Sequence, residues 1–233
     1  MKSIAFILGA NYINMRQTVH IRRETPEDYQ WVVQLTERAF KNRPFSNGNE
    51  GKLVARLRHA PTFIGRLSLV AEIKGLVVGH ILFTPIRIEN GSQQFESLAL
   101  APVSVLPEFQ DQGIGSRLIL TGHLIARDLA FESIIVLGHP EYYSRFGYQP
   151  ASHWNIKAPF YLPSDDVFNA FELTEGSLAG VAGTVIYPSE FVQPAINNFV
   201  PTVPKMVKWD YELQTHLTHE HRFIEKKKEV SGI

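Results

Sequence analysis

The sequence predicts an α+β fold, in which helices pack on a mostly antiparallel sheet of about six to seven strands. Three observations carry that expectation. The run RLSLVAEIKGLVVGHILFTPIRIENGSQQFESLALAPVSVLP reads as three consecutive strands turning at Lys74-Gly75 and Asn90-Gly91, which makes an antiparallel meander. Apolar residues at helical spacing lie on either side of it. The order, strand, helix, helix, three strands, helix, strand, helix, strand, lacks the strict strand–helix alternation of a parallel α/β sheet.

Each element has its own signal. VHIRRET, Val19 to Thr25, reads as a strand rich in β-branched residues. Thr25-Pro26-Glu27-Asp28 then supplies an N-cap, a proline at the first helical position and acidic groups at the positive end of the helix dipole, and the helix runs through Phe40. A second helix spans Asn49 to Ala60, with Leu53, Leu57 and Ala60 on one face. After the meander, Ile114 to about Ala130 is helical and Ser133 to Leu137 is a short apolar strand. Pro140 to Phe146 forms a short helix that enters another strand at Gly147-Tyr148.

Composition narrows the function. The 233 residues, 44% hydrophobic and 20% charged, suffice for one large domain with extensions. Lys plus Arg and Asp plus Glu both number 23, so no overall basic field draws nucleic acid or an anionic membrane, and neither is expected as a partner. With no cysteine, disulfides, thiolate metal sites and a cysteine nucleophile are excluded, and a reducing cytoplasm suits the chain. MKSIAFILGA places a lysine before a short apolar run, but that run gives way to Asn11, Tyr12 and Asn14 without a cleavage site, and Met15 is an alternative start. No apolar stretch approaches the ~20 residues of a membrane span.

The segment FQDQGIGSRLI, Phe109 to Ile119, joins the third meander strand to the longest helix. Glycines there keep the first helical amides uncovered, and unpaired amides at the positive end of a helix dipole form an anion site. Three phosphate motifs compete for it. A Walker A loop needs Gly-Lys-Ser/Thr, and Gly115-Ser116-Arg117 does not supply it. A dinucleotide fingerprint needs a third glycine where Leu118 stands and an acidic residue ending the next strand, whereas Glu132 precedes its strand. The Q-x-x-G-x-G turn that binds the pyrophosphate of coenzyme A is matched by Gln110, Gly113 and Gly115.

Three blocks, LALAPVSVLPEFQDQGIGSRLI, VLGHPEYYSRFGYQPA (Val136 to Ala151) and FELTEGSLAGVAGTVIYPSEF (Phe171 to Phe191), resemble the GNAT acetyltransferase superfamily, in particular its bacterial YhbS-type branch, over roughly Val19 to Phe191. That resemblance implies a GNAT fold with a V-shaped splay between the fourth and fifth strands, acetyl-CoA as co-substrate without a metal, and direct acetyl transfer to a small-molecule or peptide amine. It implies an N-terminal extension over 1–17, a GNAT domain over 18–191 and a C-terminal extension over 192–233. By resemblance the amides of Gln112, Gly113, Ile114, Gly115 and Ser116 face the pyrophosphate, Gln110 and Asp111 shape the turn, and the Val103-Ser104-Val105 backbone pairs with the pantetheine arm as another strand would.

Acetyl transfer from a thioester needs a neutral amine, a polarised carbonyl and a proton for the departing thiolate. Tyr143, four residues before Gly147, stands where GNAT enzymes carry that acid, with Tyr142 the alternative and core packing the non-catalytic role for either ring. The base has no clear bearer. The strand position that holds a glutamate in many family members is Ala99, which leaves Glu96, His80, His139 or a water chain. That departure keeps open a coenzyme A-binding sensor or interaction module without turnover. His216, His219 and His221 read as part of a solvated tail rather than a metal cluster, and the C-terminal extension packs on the domain or mediates self-association as a homodimer.

Overall fold

The computed structural model describes residues 18–191 except 44, 45, 47 and 163; Met15 and the His216, His219 and His221 group lie outside the described residues. The strands are β1 (His20–Arg23), β2 (Ser68–Ile73), β3 (Leu76–Asn90), β4 (Gln93–Val105), β5 (Ser133–Leu137), β6 (Gln149–Pro150), β7 (Ile156–Lys157), β8 (Phe168–Glu172) and β9 (Gly183–Ile186). The helices are α1 (Tyr29–Phe40), α2 (Glu50–Arg58), α3 (Ile114–Asp128) and α4 (Pro140–Tyr143). The nine strands of the described residues join one mixed sheet in the order β1-β2-β3-β4-β5-β8-β6, and β9 pairs with both β3 and β7. The meander is antiparallel and β4 lies parallel to β5. This is the expected α+β sheet, with the strand expected at Gly147-Tyr148 forming two residues later as β6 and with β7, β8 and β9 added; β7 has only two residues, too few for an alternation to show.

Local chemistry explains the boundaries. The Asp28 carboxylate accepts from the Thr25 amide at 2.9 Å and the Thr25 hydroxyl at 3.0 Å, so the predicted cap holds and a 3₁₀ turn over Pro26–Asp28 leads into α1. Lys74 and Gly75, at φ 50° and 81°, form the first turn of the meander as expected. In the second, Asn90 pairs with Gln93, so the loop is Gly91-Ser92 with Gly91 at φ 60°. Glycine stands at the first loop position, as a type II′ turn requires, one place earlier than an Asn-Gly turn would put it.

The two faces of the sheet bury different layers. Phe83, Leu98, Leu118, Ile119 and Ile134 form a core on the α3 side. On the other side Leu53 and Leu57 of α2 cover Leu82, and the segment after β6 covers Ile86, Ile88, Ala99 and Ile135 with Phe168, Leu178 and Val185. Each such side chain contributes about 1.5–3 kcal/mol by leaving water.

Candidate active site

β4 and β5 share two rungs, Leu98 with Ile134 and Ala99 with Ile135. Beyond them β4 continues to Val105 and β5 to Leu137 without pairing, while the opposite edge of β4 remains bonded to β3 through Val103, Ser104 and Val105. The β3–β4 register slips between Ile81 and Phe83, because one extra β4 residue sits between the partners Leu100 and Val103. A bulge of this kind bends and twists its strand. The outcome is a V-shaped opening with an unpaired backbone edge as one wall. Ser104 turns its hydroxyl towards Thr36 of α1 at 3.2 Å, and Val103 and Val105 lie half-buried against the α3-side core.

At the end of β4 the chain makes a 3₁₀ turn over Pro107–Phe109 and enters α3. The Gln110 side-chain amide donates to the Val105 carbonyl at 2.9 Å, and Arg43 donates to its carbonyl oxygen, so Gln110 ties the turn to the strand. Gln112 is exposed and its side chain donates to the Glu108 carbonyl at 3.3 Å. Asp111 and Gly113 take positive φ, 59° and 79°, so the turn into α3 passes through the left-handed region twice within three residues. The first bond of the helix runs from the Arg117 amide to the Gly113 carbonyl at 3.1 Å. The amides of Ile114, Gly115 and Ser116 therefore have no partner within the helix, at the positive end of its dipole. A side chain added at Gly113 would meet no atom within 4 Å, so the turn is open on that side.

The facing wall follows β5. Tyr143 at the end of α4 is 7% exposed, with its ring edge-on to Tyr142 at 5.1 Å and to Tyr148 at 5.5 Å. Gly138 makes room for it, since a Cβ there would lie 2.3 Å from Tyr143 Cε2. Burial, and then the neighbouring Tyr142, raise the Tyr143 phenol above its ordinary pKa, so it stays protonated in neutral solution. Behind it the Tyr148 hydroxyl meets His123 Nε2 at 2.9 Å, and the imidazole stacks on Phe171 at 4.5 Å. Burial, assisted by Arg127, lowers His123 to a pKa of about 4, so it is neutral at physiological pH.

The base candidates separate by position. His80 is fully buried, with Nε2 3.1 Å from the Ser68 hydroxyl and 3.7 Å from Glu24. It belongs to a buried cluster in which Arg58 pairs with Glu24 and the Ser68 hydroxyl donates to Glu24 at 2.6 Å. Burial by itself would raise the Glu24 carboxyl; His80, Arg58 and Ser68 outweigh it and hold the pKa at about 2. Sequence spacing gave no sign of this cluster, because its members come from four separate elements. Glu96 lies on β4 on the far side of the Leu98 and Ala99 rungs from the splay, beside a cavity of about 320 Å³. His139 is exposed and caps α4 two residues past the end of β5, its carbonyl accepting from the Tyr142 and Tyr143 amides. Of the three, His139 alone is both exposed and at the splay.

A splayed mixed sheet with a glycine turn leading into the helix beside the gap defines an acyltransferase of the GNAT class. The GNAT acetyltransferase domain model matches residues 65–150. Escherichia coli K12 YjhQ, named as an uncharacterized N-acetyltransferase, is 37% identical over 129 residues, 55% of this chain and 71% of its own length. The E. coli K12 uncharacterized N-acetyltransferase YhbS is 29% identical over 172 residues, 73% of this chain and 97% of its own. Among solved structures, E. coli YhbS in complex with CoA superposes with a TM-score of 0.67 at 28% identity over 75% of this chain and 92% of that one. A Brucella melitensis GNAT acetyltransferase in complex with acetyl-CoA gives 0.62 at 35% identity, covering 75% and 99%. The chain belongs to the GNAT acetyltransferase family and is an acyltransferase.

Proposed function

We propose that this protein transfers the acetyl group of acetyl-CoA directly to a primary amine while both substrates share the splayed cleft. One observation carries the reading: the unpaired edge of β4 runs straight into a turn whose first helical amides have no partner within the helix. An extended pantetheine arm can bond to that edge as an added strand, and the pyrophosphate can meet the amides of residues 112–116. The Brucella and E. coli relatives solved with acetyl-CoA and CoA support the assignment of ligand. The functional domain spans residues 18–191 in this reading.

The chain's own groups then divide the work. Backbone at Val103, Ser104 and Val105 aligns the thioester, Gln110 and Asp111 hold the turn in shape, and the Tyr143 hydroxyl gives its proton to the departing thiolate as the amine nitrogen bonds to the acetyl carbon. The proton lost by the amine passes to His139 or to water. No cysteine is present to carry an acetyl-enzyme thioester. Initial-rate kinetics test the order of events: intersecting double-reciprocal lines are expected with any accepted amine, and parallel lines with a trapped acetyl-enzyme would overturn direct transfer. A panel of polyamine, aminoglycoside, amino acid and peptide acceptors, scored by thiol release, identifies the acceptor class. Binding of coenzyme A without thiol release across the panel would favour a sensor without turnover.

A further inference from the structure

The two adjacent tyrosines of α4 point to different places, and the second contact was not foreseen from sequence. Tyr143 packs inward against Gly138 and Tyr148. The hydroxyl of Tyr142 instead crosses to α3: a Cβ built on Gly115 would lie 2.8 Å from it, and the Ser116 side chain lies beside it. Gly115 and Ser116 are the second and third residues of α3, whose amides precede the first helical hydrogen bond. The ring is fixed from outside as well. The Arg145 guanidinium lies 4.5 Å above it while its Nε donates to the Tyr142 carbonyl at 3.2 Å, and Phe146 packs edge-on at 5.5 Å.

We propose that Tyr142 is a cofactor-positioning residue, whose hydroxyl donates a hydrogen bond to a phosphate oxygen of coenzyme A at the α3 N-terminus. The inference rests on the coenzyme A reading above and adds to it a contact that the glycine turn does not supply. It also gives Gly115 a second reason to be glycine, since any side chain there would push the phenol away. The phosphate grip then comes from two segments distant in sequence, the β4–α3 turn and α4.

Tyr142→Phe keeps the ring and removes the hydroxyl, so melting temperature serves as the folding control. Calorimetric titration of wild type and variant uses two probes, coenzyme A and pantetheine, which lacks the phosphates. The expected result is a roughly tenfold weaker coenzyme A affinity in Tyr142→Phe, about 1.4 kcal/mol, and pantetheine affinity unchanged within twofold. Equal losses for both probes, or no loss for coenzyme A in a folded variant, would overturn the phosphate contact and leave the coenzyme A reading standing. Wild-type protein that binds neither probe would overturn both. Tyr143→Phe is the companion variant, with coenzyme A affinity expected to stay within threefold of wild type.

Discussion

The two walls of the cleft are built by opposite means. The β4–α3 turn is built from backbone, and so is the site proposed for it: Asp111 and Gly113 take left-handed conformations, the first helical amides have no partner within α3, and side chains such as Gln110 brace the loop. The α4 wall is a side-chain site, in which Tyr142, Tyr143, Tyr148, His123 and Phe171 hold one another ring against ring. A backbone site tolerates many sequences so long as the glycines remain. A side-chain site depends on each ring keeping its neighbours. Substitutions should therefore disturb affinity at the first wall and turnover at Tyr143 on the second, with Tyr142, whose hydroxyl reaches across to Gly115, acting on affinity.

The largest effect is expected at Tyr143. Tyr143→Phe removes the proposed proton donor but not the ring, so turnover should fall about 10²-fold while acetyl-CoA affinity persists. Because the phenol is shifted upward, any alkaline limb due to Tyr143 should lie above pH 10 in wild type and be absent from the variant. Turnover within about threefold of wild type would return Tyr143 to a packing role and break the division between the walls.

Next comes Gly113→Val. A β-branched residue at φ 79° strains the turn and tilts its amides, so acetyl-CoA affinity should drop by about tenfold or more, about 1.4 kcal/mol. Unchanged affinity in a folded variant would refute the backbone site. Gly115→Ala should do less, about threefold, since its Cβ closely meets a single atom, the Tyr142 hydroxyl oxygen, and a small tilt of that ring relieves the contact. Combining it with Tyr142→Phe should relieve that clash, so the double variant should bind no worse than Tyr142→Phe alone.

The smallest effect concerns stability. The folded pKa of His123, about 4, lies below the ordinary ~6.5 of an unfolded histidine, so the unfolded state binds the proton first. Its contribution is complete above pH 6.5 and is lost as pH falls towards 4. Glu24 and Asp28, both held at about 2, lose theirs only in stronger acid. Melting temperature should thus decline between pH 6.5 and 4.5 in wild type, and that slope should flatten in His123→Phe. A slope unchanged in the variant would assign it to other groups.

The same contrast explains what could be read from sequence. Periodicity and turn residues exposed the meander, α1 with its Thr25 cap, and α3, because those signals are local. Gln110, Gly113 and Gly115 were legible for the same reason, since a turn built from backbone writes itself into glycine spacing. The direction of Tyr142 was not legible. Spacing from Gly147 separates the roles expected of the two tyrosines but not the directions of their rings, which Gly138 and Gly115, in separate parts of the chain, decide. The Glu24, Arg58, Ser68 and His80 cluster was hidden likewise, and it took His80 from the candidate bases by enclosing it.

The open edge of β4 has one more consequence, for behaviour at high concentration. A bare strand edge is a template for a strand of another molecule, and proteins blunt such edges by keeping them short, twisting them or placing proline in them. β4 combines all three between Ala99 and the turn: the unpaired stretch is a few residues long, it carries the bulge, and Pro102 removes an amide donor. The gap can accept a narrow, flexible chain with amides of its own, yet it offers too short and broken a ladder for a second copy to add a strand. Replacing Pro102 would restore one amide donor to that stretch and make self-association through this edge the failure to watch for.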